Sequence, residues 1–326
     1  MKKMVVWLVL IGLFLHSGYA EKYGTAVTLG GQAKMSFRVL DDEGCPVGSA
    51  TVRAAFYFDP KKQGMIIGET DTNGLCSIEG ITHMDVSYQI QKDGYYRTDG
   101  RYVFGMVEPP VINNRWQPWD PTNTMVLKRI KNPVPMYVKK VETIIPVLDQ
   151  PVGFDLEKGD WVAPYGTGSS SDFVFKFLFK TKPQTYKDDF RTQTILSFSN
   201  PKDGIQDVVV PVEQWGAQSA LKLPYQAQSN DHLSVYEWQS NCVDGRSEIV
   251  PERGDYSFRV RTKVDDSGKI ISALYGKIHG SIETGGYLQA LPRLQFTYYL
   301  NPTSNDRNVE FDPAKNLFGD RDRFAP

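Results

Sequence analysis

Asp172-Phe173-Val174-Phe175-Lys176-Phe177-Leu178-Phe179-Lys180 places a phenylalanine at every second position of the stretch. Successive side chains of a strand point to opposite faces, so the four rings share one face and that face needs a cover. A helix would scatter the rings around its circumference. On either side, further short apolar segments recur between turn residues: Thr192 to Ser199, Ile205 to Val212, Leu233 to Trp238, Tyr256 to Lys263, Lys269 to His279 and Leu294 to Leu300. With strands near Val138 and Leu221 they predict a single antiparallel sandwich of jelly-roll type over residues 136–300. Tyr256, Phe258 and Val260 alternate with Ser257, Arg259 and Arg261, which predicts one apolar and one cationic face. The tail over 301–326 is expected to dock Phe311, Leu317 and Phe318 onto this sandwich.

The first half has the same texture. Strands are expected at Ala33 to Leu40, Ala50 to Phe58, Met65 to Thr70, Leu75 to Ile78, Met84 to Lys92 and Tyr102 to Val107. Asp41-Asp42-Glu43-Gly44 and Asp71-Thr72-Asn73-Gly74 lie between them as tight turns, since Asn-Gly supplies the positive φ of a hairpin and Asp71 can cap its own turn. A stretch crowded with Pro, Asn and Trp follows from Pro109 to Pro135. Thr124 to Lys128 closes the first module there, 129–135 forms the linker, and Trp116 and Trp119 are expected to pack between the two domains. The whole is an all-β chain: an N-terminal segment over 21–32, a sandwich over 33–128 and a second sandwich over 136–300.

Phe37-Arg38-Val39, Asp42-Glu43-Gly44-Cys45-Pro46-Val47, Ala50-Thr51-Val52, Thr70 to Cys76, Tyr88-Gln89-Ile90 and Lys92-Asp93-Gly94-Tyr95 together resemble the carboxypeptidase regulatory-like domain. The resemblance covers roughly Ala33 to Leu127 and implies a transthyretin-like, Ig-like β-sandwich. The family's metallocarboxypeptidase partner domain has no counterpart here. Cys76 departs from the aromatic or aliphatic core residue usual at its position. The second half is similar to exported bacterial proteins that pair such a module with a further β domain, through Gly153 to Val162, Arg259-Val260-Arg261-Thr262, Tyr275-Gly276-Lys277-Ile278 and Phe296 to Pro302. That group implies no activity.

Lys2 and Lys3 precede an apolar run from Met4 to Leu15, and Gly18-Tyr19-Ala20 offers small residues at a cleavage site, so residues 1–20 read as a secretory signal peptide. The expected address is the periplasm, the cell surface or the exterior, and the mature chain holds no second apolar stretch of membrane length. After the leader, 35 basic residues face 38 acidic ones, with no basic run beyond a pair. Binding to nucleic acid or anionic lipid is disfavoured by this balance. In an oxidising compartment Cys45 and Cys76, each beside a turn of one module, are the candidate disulfide, the alternative being that all three cysteines are small hydrophobes in strands or loops.

Chemistry has few footholds. His83, His232 and His279 are scattered, no G-x-S-x-G elbow occurs, and Gly166-Thr167-Gly168-Ser169-Ser170-Ser171 lacks the ending of a phosphate-binding loop and reads as a flexible loop. No catalytic residue and no required cofactor is assigned. Asp155, Glu157 and Asp160 form a candidate calcium set, since loop carboxylates suit a hard cation. Trp161, Tyr165, Trp215 and Trp238 could line a sugar-stacking platform, or else pack in the core. The expected function is that of an exported, non-enzymatic binding or structural protein of the cell envelope, with an envelope protein or a glycan as candidate partner. A carbohydrate-binding module or glycoside hydrolase is the alternative.

Overall fold

A computed structural model of the chain describes residues 23–56, 64–210, 217–251, 254–319 and 324–326; the leader and Trp215 lie outside the described residues. After a short helix over 23–29, the described structure is almost wholly β. The first strands are β1 (Gly31–Asp41), β2 (Thr51–Phe56), β3 (Met65–Glu69), β4 (Leu75–Thr82), β5 (Asp85–Gln91), β6 (Thr98–Val103), β7 (Val111–Ile112), β8 (Arg115–Trp116) and β9 (Thr122–Leu127). There follow β10 (Val134–Ile144), β11 (Val152–Asp155), β12 (Asp160–Trp161), β13 (Phe173–Thr181), β14 (Phe190–Ser197), β15 (Gly204–Val208) and β16 (Gln218–Ser219). The last are β17 (Val235–Val243), β18 (Arg246–Val250), β19 (Asp255–Val264), β20 (Ile270–Ile278), β21 (Glu283–Gly285), β22 (Arg293–Asn301) and β23 (Phe311–Asn316).

The chain divides into two compact units. One ends at Ile130 and takes in Val212–Ala220; the other comprises Lys131–Pro211 and Leu221–Pro326. The excursion was not foreseen from the sequence: β16 leaves the second half of the chain to pair with Asp99 and Thr98 of β6.

In the first unit, a sheet ordered β4-β1-β8-β7, with β9 also paired to β1, faces one ordered β16-β6-β5-β2-β3. Alternation decides what lies between them: β1 buries Ala33, Met35, Phe37 and Val39, β2 buries Val52, Ala54 and Phe56, and β5 buries Val86, Tyr88 and Ile90. The turn before β4 is fixed as its sequence suggests. Asp71 Oδ1 accepts the N–H groups of Asn73 and Leu75 at 2.8 and 2.9 Å, while Gly74 sits at φ +74°, where a Cβ would come within 2.4 Å of the Val39 carbonyl oxygen. Trp116 corrects an expectation, because its ring lies inside the core of this unit and its indole N–H donates to the Thr82 carbonyl at 2.8 Å. The Cys45–Cys76 bridge is likewise not formed. Cys76 points inward beneath Gly68 and Cys45 stands exposed in the β1–β2 turn, so both are free thiols, as is Cys242.

The second unit sets a sheet ordered β12-β11-β13-β14-β17-β18 against one ordered β15-β19-β20-β22-β10-β23, with β21 on β22. Phe173, Phe175 and Phe177 fill the space between them with Trp161, Trp238, Phe258 and Phe296, mostly edge to face. The cationic face expected on β19 is also covered. Ser257 and Arg259 are buried there, and the Arg259 guanidinium is satisfied by the carbonyls of Lys202 and Ser229. On the same sheet's outer face Met136, Val138, Ala273, Tyr275 and Tyr299 cluster with Phe311 of β23 and with Ala227 and Val309, which come from irregular segments. Phe311 and Phe318 dock as the tail predicts, Phe318 against Tyr137 at 5.2 Å between ring centres, whereas Leu317 stays largely exposed.

Candidate functional site

The outer face of β2, β5 and β6 carries a depression whose origin is legible in the pairing register. Ala55 lies opposite Ser87, and Ser87 opposite Arg101. One row along, Arg53 lies opposite Gln89, and Gln89 opposite Asp99. Met65 of β3 flanks Ala55, and Gln218 of β16 flanks Asp99. Two small side chains therefore form a floor between longer ones, and the result is an open concavity of about 510 Å³.

Its polar groups are held in place by one another. The Gln89 amide donates to Asp99 Oδ1 at 3.0 Å, Arg97 Nε donates to Asp99 Oδ2 at 2.8 Å, and Arg101 Nε donates to Asp85 Oδ2 at 2.5 Å. Arg53 donates to the Gln91 side-chain oxygen. Exposed pairs of this sort add little to stability, so their effect here is to aim side chains. A guanidinium has five N–H donors, so Arg53 and Arg101, both in the lining, keep donors beyond those used in these bonds. No histidine lines it. The arrangement offers donors, a hydroxyl and a carboxylate to a ligand; it does not offer a nucleophile beside a base.

None of these residues was singled out from the sequence. The signal was present in the alternation, since inward Val52, Ala54 and Phe56 force Arg53 and Ala55 outward, and inward Val86, Tyr88 and Ile90 force out Ser87 and Gln89. What alternation alone lacks is the register that sets these outward residues side by side.

The residues that the sequence did single out lie elsewhere. Asp155 and Asp160 are cross-strand partners on β11 and β12, and with Glu157 they hold protein donors. Asp155 Oδ2 accepts the N–H groups of Ser169 and Ser170 at 2.9 and 3.0 Å, and Oδ1 those of Glu157 and Lys158 at 3.0 and 3.1 Å. Asp160 accepts the N–H of Trp161 and both the N–H and hydroxyl of Thr167. Residues 166–171 are thus a clamped loop that presents backbone N–H groups to an anion, as a phosphate cradle does, with the protein's own carboxylates as the anions.

Arg261 completes this cluster. It has φ +56° at a register shift of β19 against β20, a bulge that re-aims its side chain. The guanidinium grips Asp172 with Nε and Nη2 at 2.8 and 2.9 Å, and reaches Asp155 at 3.2 Å and Glu157 at 2.7 Å. Asp203 accepts the backbone N–H groups of Arg261 and Thr262, both at 2.9 Å. Burial pushes the Asp155 carboxyl up, but the Ser169, Ser170 and Lys158 N–H groups with Arg261 hold it below the ordinary range. Asp172 is pushed up by its deeper burial against the pull of the same guanidinium. Among the described residues no three His, Cys, Asp or Glu side chains are grouped to hold a metal ion.

Of the four aromatic residues expected to meet a sugar, Trp161 and Trp238 lie in the core of the second unit, with the Trp161 indole N–H donating to Thr143 Oγ1 at 3.1 Å. Neither ring face is on offer. Tyr165 is 46% exposed, and Trp215 lies outside the described residues. The histidines stand apart: His83 Nδ1 is 2.6 Å from the Val27 carbonyl and His279 Nδ1 is 2.8 Å from Asp255. His232 is pushed down to about 4 by burial and by the neighbouring Arg259.

No family model matches the chain, and no curated protein sequence matches it. Among solved structures it is similar to chlorocatechol 1,2-dioxygenase from Pseudomonas putida, with 11% identity over 31% of this chain and 61% of that one and a TM-score of 0.26. It is also similar to catechol 1,2-dioxygenase from Acinetobacter sp. ADP1, with 13% identity over 31% and 54% and a TM-score of 0.25. A DUF3823 family protein from Parabacteroides merdae ATCC 43184 aligns over 86% of this chain and 99% of its own, at 6% identity and a TM-score of 0.19. The chain spans just over half the length of the dioxygenases it matches.

Proposed function

We propose that this is an exported, non-enzymatic β-sandwich protein, a binding or structural component of the cell envelope, and that it binds through the depression over Ala55 and Ser87. The leader composition of residues 1–20 supports export. No helix among the described residues is long and apolar enough to cross a membrane, which leaves β-barrels unaddressed. The resemblance of residues 33–127 to a carboxypeptidase regulatory-like domain supports a module without chemistry of its own.

The observation that carries the binding role is the fixed pair of guanidinium groups, Arg53 and Arg101, on either side of a small-residue floor with Gln89 and Asp99 beside it. The ligand class suited to this set is an acidic glycan. Its carboxylate would meet the arginines, and its hydroxyls would meet Ser87, Gln89 and Asp99. No described aromatic ring faces outward here, so recognition rests on charge and hydrogen bonds.

Two measurements test the proposal. N-terminal sequencing of protein recovered from the envelope or medium should begin at Glu21; an intact leader on cytoplasmic protein would refute export. On an array of neutral and acidic oligosaccharides, the mature chain should retain acidic ones. Arg53→Ala and Arg101→Ala should each weaken that retention about tenfold or more, the loss of one charge-assisted hydrogen bond. A blank array, or retention indifferent to both substitutions, would refute the assigned site.

A further inference from the structure

In the first unit β3 is the last strand of its sheet, and its backbone shows what it lacks. Phe56 N–H donates to the Gly64 carbonyl, and Thr70 N–H to that of Ala50. With the register of Ala54 on Ile66 and Val52 on Gly68, the even-numbered residues of β3 bond to β2. The N–H and C=O groups of Met65, Ile67 and Glu69 therefore point away from the sheet. Natural edges are blunted by lysine, proline, bulges or a covering segment. Within β3 itself there is no lysine or proline, and Met65 and Ile67 are 54% and 63% exposed. The edge of the facing sheet, β4, ends on the same side, since a Cβ on Gly80 would come within 2.9 Å of Ile66 Cδ1. It carries Leu75 and Ile81, 45% and 47% exposed.

We propose that β3 pairs antiparallel with β3 of a second copy of this chain about a two-fold axis at Ile66, joining the two sheets into one. The register follows from three conditions. Hydrogen-bonded partners must both be outward-pointing residues, which pairs odd with odd numbers. The exposed apolar side chains must meet each other, which Met65 opposite Ile67 of the second copy satisfies twice. The two Glu69 carboxylates must stay apart, and this register puts them at opposite ends of the ribbon, roughly 20 Å from each other at about 3.4 Å per residue. Pairing at Ile67 on Ile67 would instead set Met65 against Glu69. The interface is isologous and needs no other sequence to satisfy it. It also alters the ligand surface, because Ile67 of the second copy stands beside Met65 and extends that wall of the depression.

Sedimentation of the mature chain across a wide concentration range should show a monomer–dimer equilibrium. Ile67→Lys should weaken it by about tenfold or more by placing a charge in the apolar pair, with far-UV circular dichroism unchanged. For the register, Ile66→Cys should oxidise to a covalent dimer beyond the background of the natural cysteines, whereas Glu69→Cys should not. A chain that stays monomeric throughout, a dimer indifferent to Ile67→Lys, or equal cross-linking at the two cysteine positions would each overturn the proposal. So would a monomer whose β3 edge takes up an unrelated extended peptide.

Discussion

Arg261→Ala is expected to destabilise the second unit by about 3–5 kcal/mol, the usual cost of removing one partner from a buried ion cluster. The guanidinium serves three carboxylates at once, and two of them, Asp155 and Asp172, are almost fully buried. Asp155 keeps its backbone donors when the arginine goes. Asp172 keeps only the Leu156 N–H at 2.9 Å, so most of the penalty falls on it. Asp172→Asn combined with Arg261→Met should therefore recover a good part of the loss, since no buried charge is then stranded there. Denaturant unfolding followed through the buried Trp161 and Trp238 measures both. A loss below about 1 kcal/mol in the single variant would show that the cluster is as weak as an exposed pair.

The acid dependence should change with it. Asp155 has a lowered pKa in the folded chain, so its contribution is present above the unfolded value and is lost as the pH falls through the folded one. Asp172 has a raised pKa, and its charged form is the costly one. Without Arg261 that carboxyl rises further and takes up a proton at higher pH, which relieves the variant but not the parent protein. The gap in stability between the two should hence narrow as the pH is lowered from neutrality through the carboxylate range. A gap that widens on acidification would contradict this assignment.

Phe173→Ala is the second large effect, at about 3–5 kcal/mol for a fully buried ring replaced by a methyl group. Phe173 lies with its ring centre 5.1 Å from Phe258, 5.7 Å from Phe198 and 6.1 Å from both Phe175 and Phe296, so it touches both sheets. Rings from opposing strands cannot follow a shrinking neighbour far, and the void stays largely open. Leucine at this position should retain part of the stability by filling some of that volume. The same unfolding experiment decides it, and a loss under about 1.5 kcal/mol would mean that the core collapses around the vacancy.

Strand positions were legible from period-two alternation wherever one face is apolar, as in Phe173 to Phe177 or Met35 to Val39. Alternation fails where both faces are covered. On β19 the residues between Tyr256 and Val260 read as a solvated cationic face, yet Arg259 is buried because backbone carbonyls from Lys202 and Ser229 come to it across the sequence. A short strand without a pattern, such as β12, was invisible for the opposite reason, and the strand expected near Leu221 lies at Gln218–Ser219 but pairs with β6 of the first unit. The tryptophans were ambiguous because an indole serves a core and a binding platform equally well; only burial, which the tertiary structure sets for Trp116, Trp161 and Trp238 alike, separates the two. The depression escaped notice because it depends on which strands lie next to each other, and pairing register is a tertiary property.

The pairing of Gln218 and Ser219 with β6 has a consequence for how the polypeptide is made. Because β6 receives its edge partner from a stretch that follows β15, the body whose strands leave the ribosome first cannot be finished until much of the second body has also been made. Until that stretch emerges, the Thr98–Asp99 end of β6 lacks the backbone partner that Gln218 and Ser219 supply. A truncation after Ile130, attractive from the order of modules along the sequence, would make that interim state permanent.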